Sequence, residues 1–142
     1  MRLEEITQPT FLPGIFIDSG VLKVDLARLK YPGDLLHEAG HLALMDPVRR
    51  AAATGEAGDD PGYEMGAIAW SYAAAVHLGI DPQVVFHADG YHGCSLAILE
   101  ALTSGGCLGT PMLHWLDLAL DERNARAQGL KPYPHMLRWL RG

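Results

Sequence analysis

The sequence predicts an α+β fold, mainly helical, in which one domain spanning 1–142 carries a small β-hairpin or sheet. Three observations predict it. Two short β-branched runs flank Ser19-Gly20, a dipeptide suited to a tight hairpin turn. Several later segments place apolar residues three and four apart behind Asp-Pro or Thr-Pro starts, as buried helices do. Finally, 142 residues with 49% hydrophobic and 20% charged side chains suit a single core, and exclude a disordered chain poor in apolar residues.

The hairpin strands are expected at Gly14 to Asp18 and Val21 to Asp25. A first long helix should occupy Asp34 to Met45, where Leu35, Leu36, Ala39, Leu42 and Ala43 share one face and Asp46-Pro47 marks the end. Arg49 to Asp60 is small, charged and glycine-containing, which suggests a surface loop with a short helical turn near its start. A second long helix should begin at Asp60-Pro61, with Asp60 as N-cap and Pro61 at the first helical position, and stop at Gly79. Asp81-Pro82 opens a short helical piece, and Ala88-Asp89-Gly90 turns the chain. Ser95 to Leu102 forms a further helix, Thr110-Pro111 starts one that runs to about Glu122, and Pro134 to Leu140 is expected as a last short helix with Trp139 and Leu140 inward.

Charge and composition narrow the function. Eleven Lys and Arg against seventeen Asp and Glu give a net charge of −6, which repels phosphate backbones and anionic lipid, so neither nucleic acid nor membrane is an expected partner. The longest uncharged runs, Met65 to Ile80 and Ala101 to Leu116, fall short of the roughly 20 apolar residues that cross a bilayer. Two cysteines do not make a disulfide framework, and Met1 to Pro9 lacks the apolar stretch of a secretory leader. The expectation is a cytoplasmic protein.

His37-Glu38-Ala39-Gly40-His41 matches H-E-x-x-H in the middle of the first predicted helix, the context the motif requires. Residues four apart on a helix lie about 40° apart and one turn along, so both imidazoles can approach one metal ion. Glu38, one residue further round, sits where a carboxylate can take a proton from water rather than bind the ion. The bland alternative, two half-exposed histidines and a solvated glutamate, leaves three polar groups unexplained on an otherwise apolar helix.

A catalytic zinc ion usually has three protein ligands and an open position, so a third ligand must come from elsewhere. The extended pattern H-E-x-x-H-x-x-G-x-x-H is excluded by Leu44 and Pro47. Glu64, near the start of the second long helix, is the one formally charged residue between Gly62 and Ile80. An unpaired carboxylate in so apolar a helix needs solvent or a positive partner, and zinc would provide one. The alternative role is favourable interaction with the helix N-terminus. His77 lies about 220° around the helix from Glu64 and should face away from it.

With these residues the chain resembles the gluzincin branch of zinc metallopeptidases, which pair an H-E-x-x-H helix with a glutamate on a following helix. The resemblance spans His37 to Glu64. Glu64-Met65-Gly66-Ala67-Ile68-Ala69-Trp70 is also similar to the E-x-x-A-x-x-aromatic helix of small intracellular members of the ImmA/IrrE type. Ile68 stands where those relatives often carry Asp or Asn, and Asp34 where they carry a small apolar or β-branched residue, so ligand orientation must use other partners. The resemblance implies a compact zincin-like domain, Zn2+ held by His37, His41 and Glu64, and a peptide or protein substrate. It further implies a tyrosine or histidine beside the metal that steadies an oxyanion, for which Tyr91 and His92, in the polar turn Phe86 to Gly93, are the candidates.

The remaining polar residues have plainer readings. His87, His92 and Cys94 have no regular metal-site spacing. Cys107 reads as a small apolar filler, His114 and Trp115 as packing residues, and Lys131, Arg138 and Arg141 as the solvated face of a terminal helix, with a weak partner-binding or dimer surface as the alternative. The expected activity is zinc-dependent peptide-bond hydrolysis with Glu38 as general base. The alternative is a non-proteolytic metal-binding or partner-binding module, which the small size favours. A homo-oligomer, whose partner chain supplies a cleft wall, would favour the enzyme. Zinc is preferred for two imidazoles and a carboxylate, although manganese, iron or nickel accept similar ligands.

Overall fold

The computed structural model describes residues 1–55 and 60–142, and the fold is α+β and mainly helical. Residues 56–59, within the loop expected from Arg49 to Asp60, lie outside the described residues.

The hairpin forms as its sequence dictates. Strands β2 (Ile15–Asp18) and β3 (Val21–Val24) pair antiparallel, with Ile15 opposite Val24 and Ile17 opposite Leu22. Ser19 and Gly20 both take positive φ, 51° and 74°, the geometry that lets a two-residue turn follow the twist of the strands. A third strand, β1 (Arg2–Leu3), pairs parallel to β3 and gives the order β1-β3-β2, an element not expected from the sequence. Its two residues are exposed and too few to show alternation.

Helix α1 (Asp34–Leu44) follows, and then α2 (Pro47–Ala52), which Asp46 caps by accepting from the backbone N–H groups of Val48 and Arg49. Helix α3 (Pro61–Leu78) is capped as expected, with the Asp60 carboxylate accepting from Gly62 and Tyr63 and Gly79 closing the far end at φ 68°. Every residue of α3 from Gly66 to Ala75 except Tyr72 is buried, so this helix is the axis of the molecule. Its alanines let neighbours approach on several sides. Ala69, Trp70 and Ala73 join Leu44, Leu113 and Leu118 in one core cluster. Ile68 and Ala75 join Val85, Phe86 and Leu102 in another. A third cluster, Ile15, Ile17, Leu22, Leu42 and Met45, holds the sheet against α1.

Helix α1 meets α3 through glycine. A Cβ on Gly40 would lie 2.9 Å from the Ala67 carbonyl oxygen, and one on Gly66 would lie 2.4 Å from Leu44 Cδ2. A side chain would press on the α3 backbone at Gly40 and on the Leu44 and Met112 side chains at Gly66, so α1 and α3 pack at close range beside the H-E-x-x-H residues.

Two expectations about the C-terminal third are corrected. After α4 (Ser95–Thr103), the helix expected from Thr110 to about Glu122 stops early as α5 (Thr110–Trp115), and a helix not expected from the sequence, α6 (Glu122–Gln128), starts where it was to end. Asp117 adopts φ 55°, which an α-helix does not accommodate, and Asp121 caps a new helix by accepting from Asn124 N–H. The helix expected over Pro134 to Leu140 does not form. Its backbone instead bonds to the segment between α5 and α6: Leu137 N–H donates to Leu118 at 2.8 Å, and Met136 bridges Ala119. Trp139 packs against the main core, but Leu140 is exposed. Trp115 and both cysteines are also exposed, so Cys107 is no core filler.

The C-terminal residues fasten α1 and α3 from outside. Trp70 Nε1–H donates to the Trp139 carbonyl, Arg141 N–H to that of Ala43, and the Tyr133 hydroxyl to that of Ala69, all at 2.9–3.0 Å. Arg138 and Arg141 are engaged within the chain, Arg138 with Asp117 and Arg141 with the Tyr63 hydroxyl. Among the described residues no helix is long and apolar enough to cross a membrane.

Candidate metal centre

The 40° offset of His37 and His41 on α1 brings their Nε2 atoms to 3.0 Å from each other. The α1–α3 crossing then presents Glu64, on the first turn of α3, to both rings: Oε2 lies 3.0 Å from His41 Nε2 and Oε1 lies 3.4 Å from His37 Nε2. Glu38 places a carboxylate oxygen in the same group, within 4.8 Å of a nitrogen on each ring. His77, by contrast, packs near Trp139 on the opposite side, as its angle on α3 requires.

These separations can be compared with what a metal would demand. Three donors held about 2.0–2.1 Å from a tetrahedral zinc ion lie about 3.3 Å apart. The two ring nitrogens, 3.0 Å apart, come within a few tenths of an ångström of that spacing, and Glu64 offers one carboxylate oxygen to each ring, Oε2 to His41 at 3.0 Å and Oε1 to His37 at 3.4 Å. The set of two imidazoles and one carboxylate is also a chemistry zinc favours. Accessibility falls inward across the cluster, from 34% for the Glu64 side chain to 13% for His37 and 6% for His41, so the group opens toward solvent on the Glu64 side.

The electrostatics separate the two glutamates. Hydrogen bonds from His37 and His41 hold the Glu64 carboxyl well below the usual carboxylate range, although burial works against them. Glu38 shifts the other way. Burial raises its pKa, His41 and His37 oppose the rise, and the charges of Glu64 and Asp34 add to it. One acid is thus held as a carboxylate at the histidines, and its neighbour is made a better proton acceptor.

The turn after α3 completes the surroundings. A short 3-10 piece, Pro82–Val84, lies against the start of α1 so closely that a Cβ on Gly33 would meet the Val84 carbonyl oxygen at 1.9 Å. This brings His87 Nε2 to 3.0 Å from Asp34 Oδ1, while the His87 ring stacks on Tyr31 at 3.9 Å. Asp34 is buried at the head of α1, and this pairing answers for its carboxylate. Beyond it, Tyr91 sends its hydroxyl to 3.2 Å from His37 Nδ1, with the two rings edge to face. Burial is the main cause that raises the pKa of this hydroxyl, helped by Glu64, Asp34 and Glu38, whereas a hydrogen bond with Ser71 acts in the opposite sense.

The structure therefore brings together His37, Glu38, His41, Glu64 and Tyr91. His92 is exposed, and no hydrogen bond joins it to the cluster among the described residues. Ser71 and the Asp34–His87 pair are additions that the sequence reading missed. Ser71 lies seven residues after Glu64, two turns along the same face, and that spacing was a usable signal. Nothing local ties Asp34 to a histidine 53 residues away.

Comparison of the chain with protein-family models, with curated proteins and with solved structures finds no match.

Proposed function

We propose that this protein is a zinc-dependent peptide-bond hydrolase whose metal is held by His37, His41 and Glu64, with Glu38 as general base. The observation that carries the reading is the convergence of two Nε2 atoms and the Glu64 carboxylate at 3.0–3.4 Å, with a Glu38 carboxylate oxygen within 4.8 Å of a nitrogen on each ring. Glu64 touches both rings, which favours it over Glu38 as the third ligand. The chemistry zinc supplies when held by such a set is Lewis acidity: water becomes acidic enough to attack near neutral pH, and a carbonyl is polarised.

The chain's own part follows from the geometry. Glu38, its basicity raised by burial, accepts a proton from the attacking water at a carboxylate oxygen and later delivers it to the departing amine. Glu64 would remain a carboxylate when it holds the ion, because a positive charge beside it favours its ionised form. His41, enclosed by the α1–α3 crossing, holds its ring direction. The substrate is a peptide or protein that reaches the cluster from the Glu64 side. Tyr91 is better placed than the exposed His92 to act beside the histidines.

Glu38→Gln tests this reading. It should retain one zinc per chain, measured by elemental analysis after dialysis, and lose about 100- to 10,000-fold in turnover of a peptide library. His41→Ala should lose the metal. A wild type that retains zinc but cleaves no peptide would favour the non-proteolytic module, and one that retains no metal would refute both.

A further inference from the structure

We propose that Tyr91 is a positioning residue for the His37 ligand: its hydroxyl accepts the Nδ1–H of His37 and fixes the ring's tautomer and direction. The inference rests on the metal reading above and adds a role for a residue outside the ligand set.

The argument starts from the two nitrogens of His37. Its Nε2 faces His41 and Glu64, at 3.0 and 3.4 Å. A nitrogen that binds a metal carries no proton, so the ring proton of a ligating His37 must sit on Nδ1. A ligating histidine steered in this way needs an acceptor at the second nitrogen, and the group found there is the Tyr91 hydroxyl at 3.2 Å. In that arrangement the imidazole is the donor and the Tyr91 oxygen the acceptor.

The backbone shows what is needed to put Tyr91 there. Tyr91 and His92 both take φ 52°, a left-handed conformation that side chains with a Cβ rarely adopt, and for a residue as bulky as tyrosine it is strained. The turn is held in that shape from both sides. Ser95 Oγ donates to the carbonyls of His87 and Gly90, and the Tyr91 ring packs against Phe86. The strained backbone delivers the hydroxyl to the back of a ligand, away from the Glu64 opening.

Tyr91→Phe is the test, because it keeps the ring and removes the oxygen. Zinc affinity, measured by competition with a chromophoric chelator, should weaken about 10- to 100-fold relative to wild type. The visible bands of the cobalt-loaded protein should shift, and the thermal midpoint of the metal-free variant should match wild type. An affinity within about twofold of wild type would overturn the proposal, and a fall in turnover alone would then assign Tyr91 to the substrate's oxyanion. Should the variant fold poorly, NMR of zinc-loaded wild type decides: a slowly exchanging His37 Nδ1–H supports the proposal, and a His37 protonated on Nε2 overturns it. A wild type that binds no zinc removes the metal reading itself, an outcome distinct from a Tyr91→Phe variant that binds zinc as wild type does.

Discussion

Gly40→Ala separates what the H-E-x-x-H helix needs as a helix from what it needs as a partner for α3. Considered alone, α1 should gain about 1 kcal/mol, because alanine is the better helix former. The crossing reverses the sign. A Cβ at Gly40 would stand 2.9 Å from the Ala67 carbonyl oxygen, 3.2 Å from Ala67 Cα and 3.3 Å from Trp70 Cε3, where ordinary contact begins at 3.4 Å. Two of these three atoms belong to the α3 backbone and cannot rotate away, so the helices must part by about 0.5 Å in a close-packed interior. Overpacking of this kind costs about 1–3 kcal/mol, which leaves a net loss of up to about 2 kcal/mol. For a domain of this size that lowers the thermal midpoint by up to roughly 8 °C. The same displacement acts on the candidate metal centre, since Glu64 is on one helix and both histidines are on the other. Zinc affinity should fall with stability, because a site of this kind tolerates little more than about 0.5 Å of misplacement. Urea denaturation of the metal-free variant, followed by zinc competition, measures both. A Gly40→Ala protein that is more stable than wild type and binds zinc equally well would refute the close-crossing argument.

Two further perturbations test the frame around the site. Arg50→Met removes a guanidinium that donates to the carbonyls of Leu42 and Met45 at the end of α1 and of Arg141 in the C-terminal segment, at 2.6–2.9 Å. The loss should be about 2–3 kcal/mol, and a midpoint within about 2 °C of wild type would show that these bonds are replaced by water. Asp46→Asn addresses acid stability. Backbone N–H groups, that of Arg49 foremost, lower the Asp46 pKa below its ordinary 3.8, so its contribution is present above that value and is lost as pH falls below it. Asparagine can still cap α2 but does not titrate, so the decline of the thermal midpoint below about pH 4 should be shallower in the variant. Parallel acid limbs would contradict the assignment.

What the sequence made legible was what neighbouring residues decide among themselves. The hairpin turn needs positive φ at two adjacent positions, and Ser19-Gly20 announces it. The start of α3 is written in Asp60-Pro61 and its end in Gly79. His37 and His41 converge because helical geometry alone brings residues four apart onto one face. Glu64 was legible for a different reason, as a lone charge in an apolar helix. The misreadings lie where distant backbone took over. Thr110 to Glu122 has an unbroken helical look, yet the chain leaves the helix at Asp117 so that Leu118 and Leu120 can receive hydrogen bonds from Leu137 and Tyr133. Pro134 to Leu140 exchanged helical bonds for the other half of those same contacts. The Asp34–His87 pair was hidden likewise, because its partner comes from a turn whose position depends on Gly33 admitting the Val84 carbonyl.

The same distinction bears on how the motif should be read. H-E-x-x-H is written as if its two central residues were free, and on an isolated helix they would be. Here they are Ala39 and Gly40, and a Cβ at the second would press on the α3 backbone at Ala67. Across the crossing, Gly66 admits Leu44 and Met112 in the same way, two residues after Glu64. Two nitrogens 3.0 Å apart on one helix are only an edge. The third corner exists because each helix carries a glycine within three residues of its own donors, which allows a carboxylate as short as glutamate's to span the gap to both rings. On this argument the x positions of the motif are not silent. Enlarging Gly40 should weaken metal binding with every proposed ligand still in place, whereas a change at an exposed position such as His77 should leave it alone.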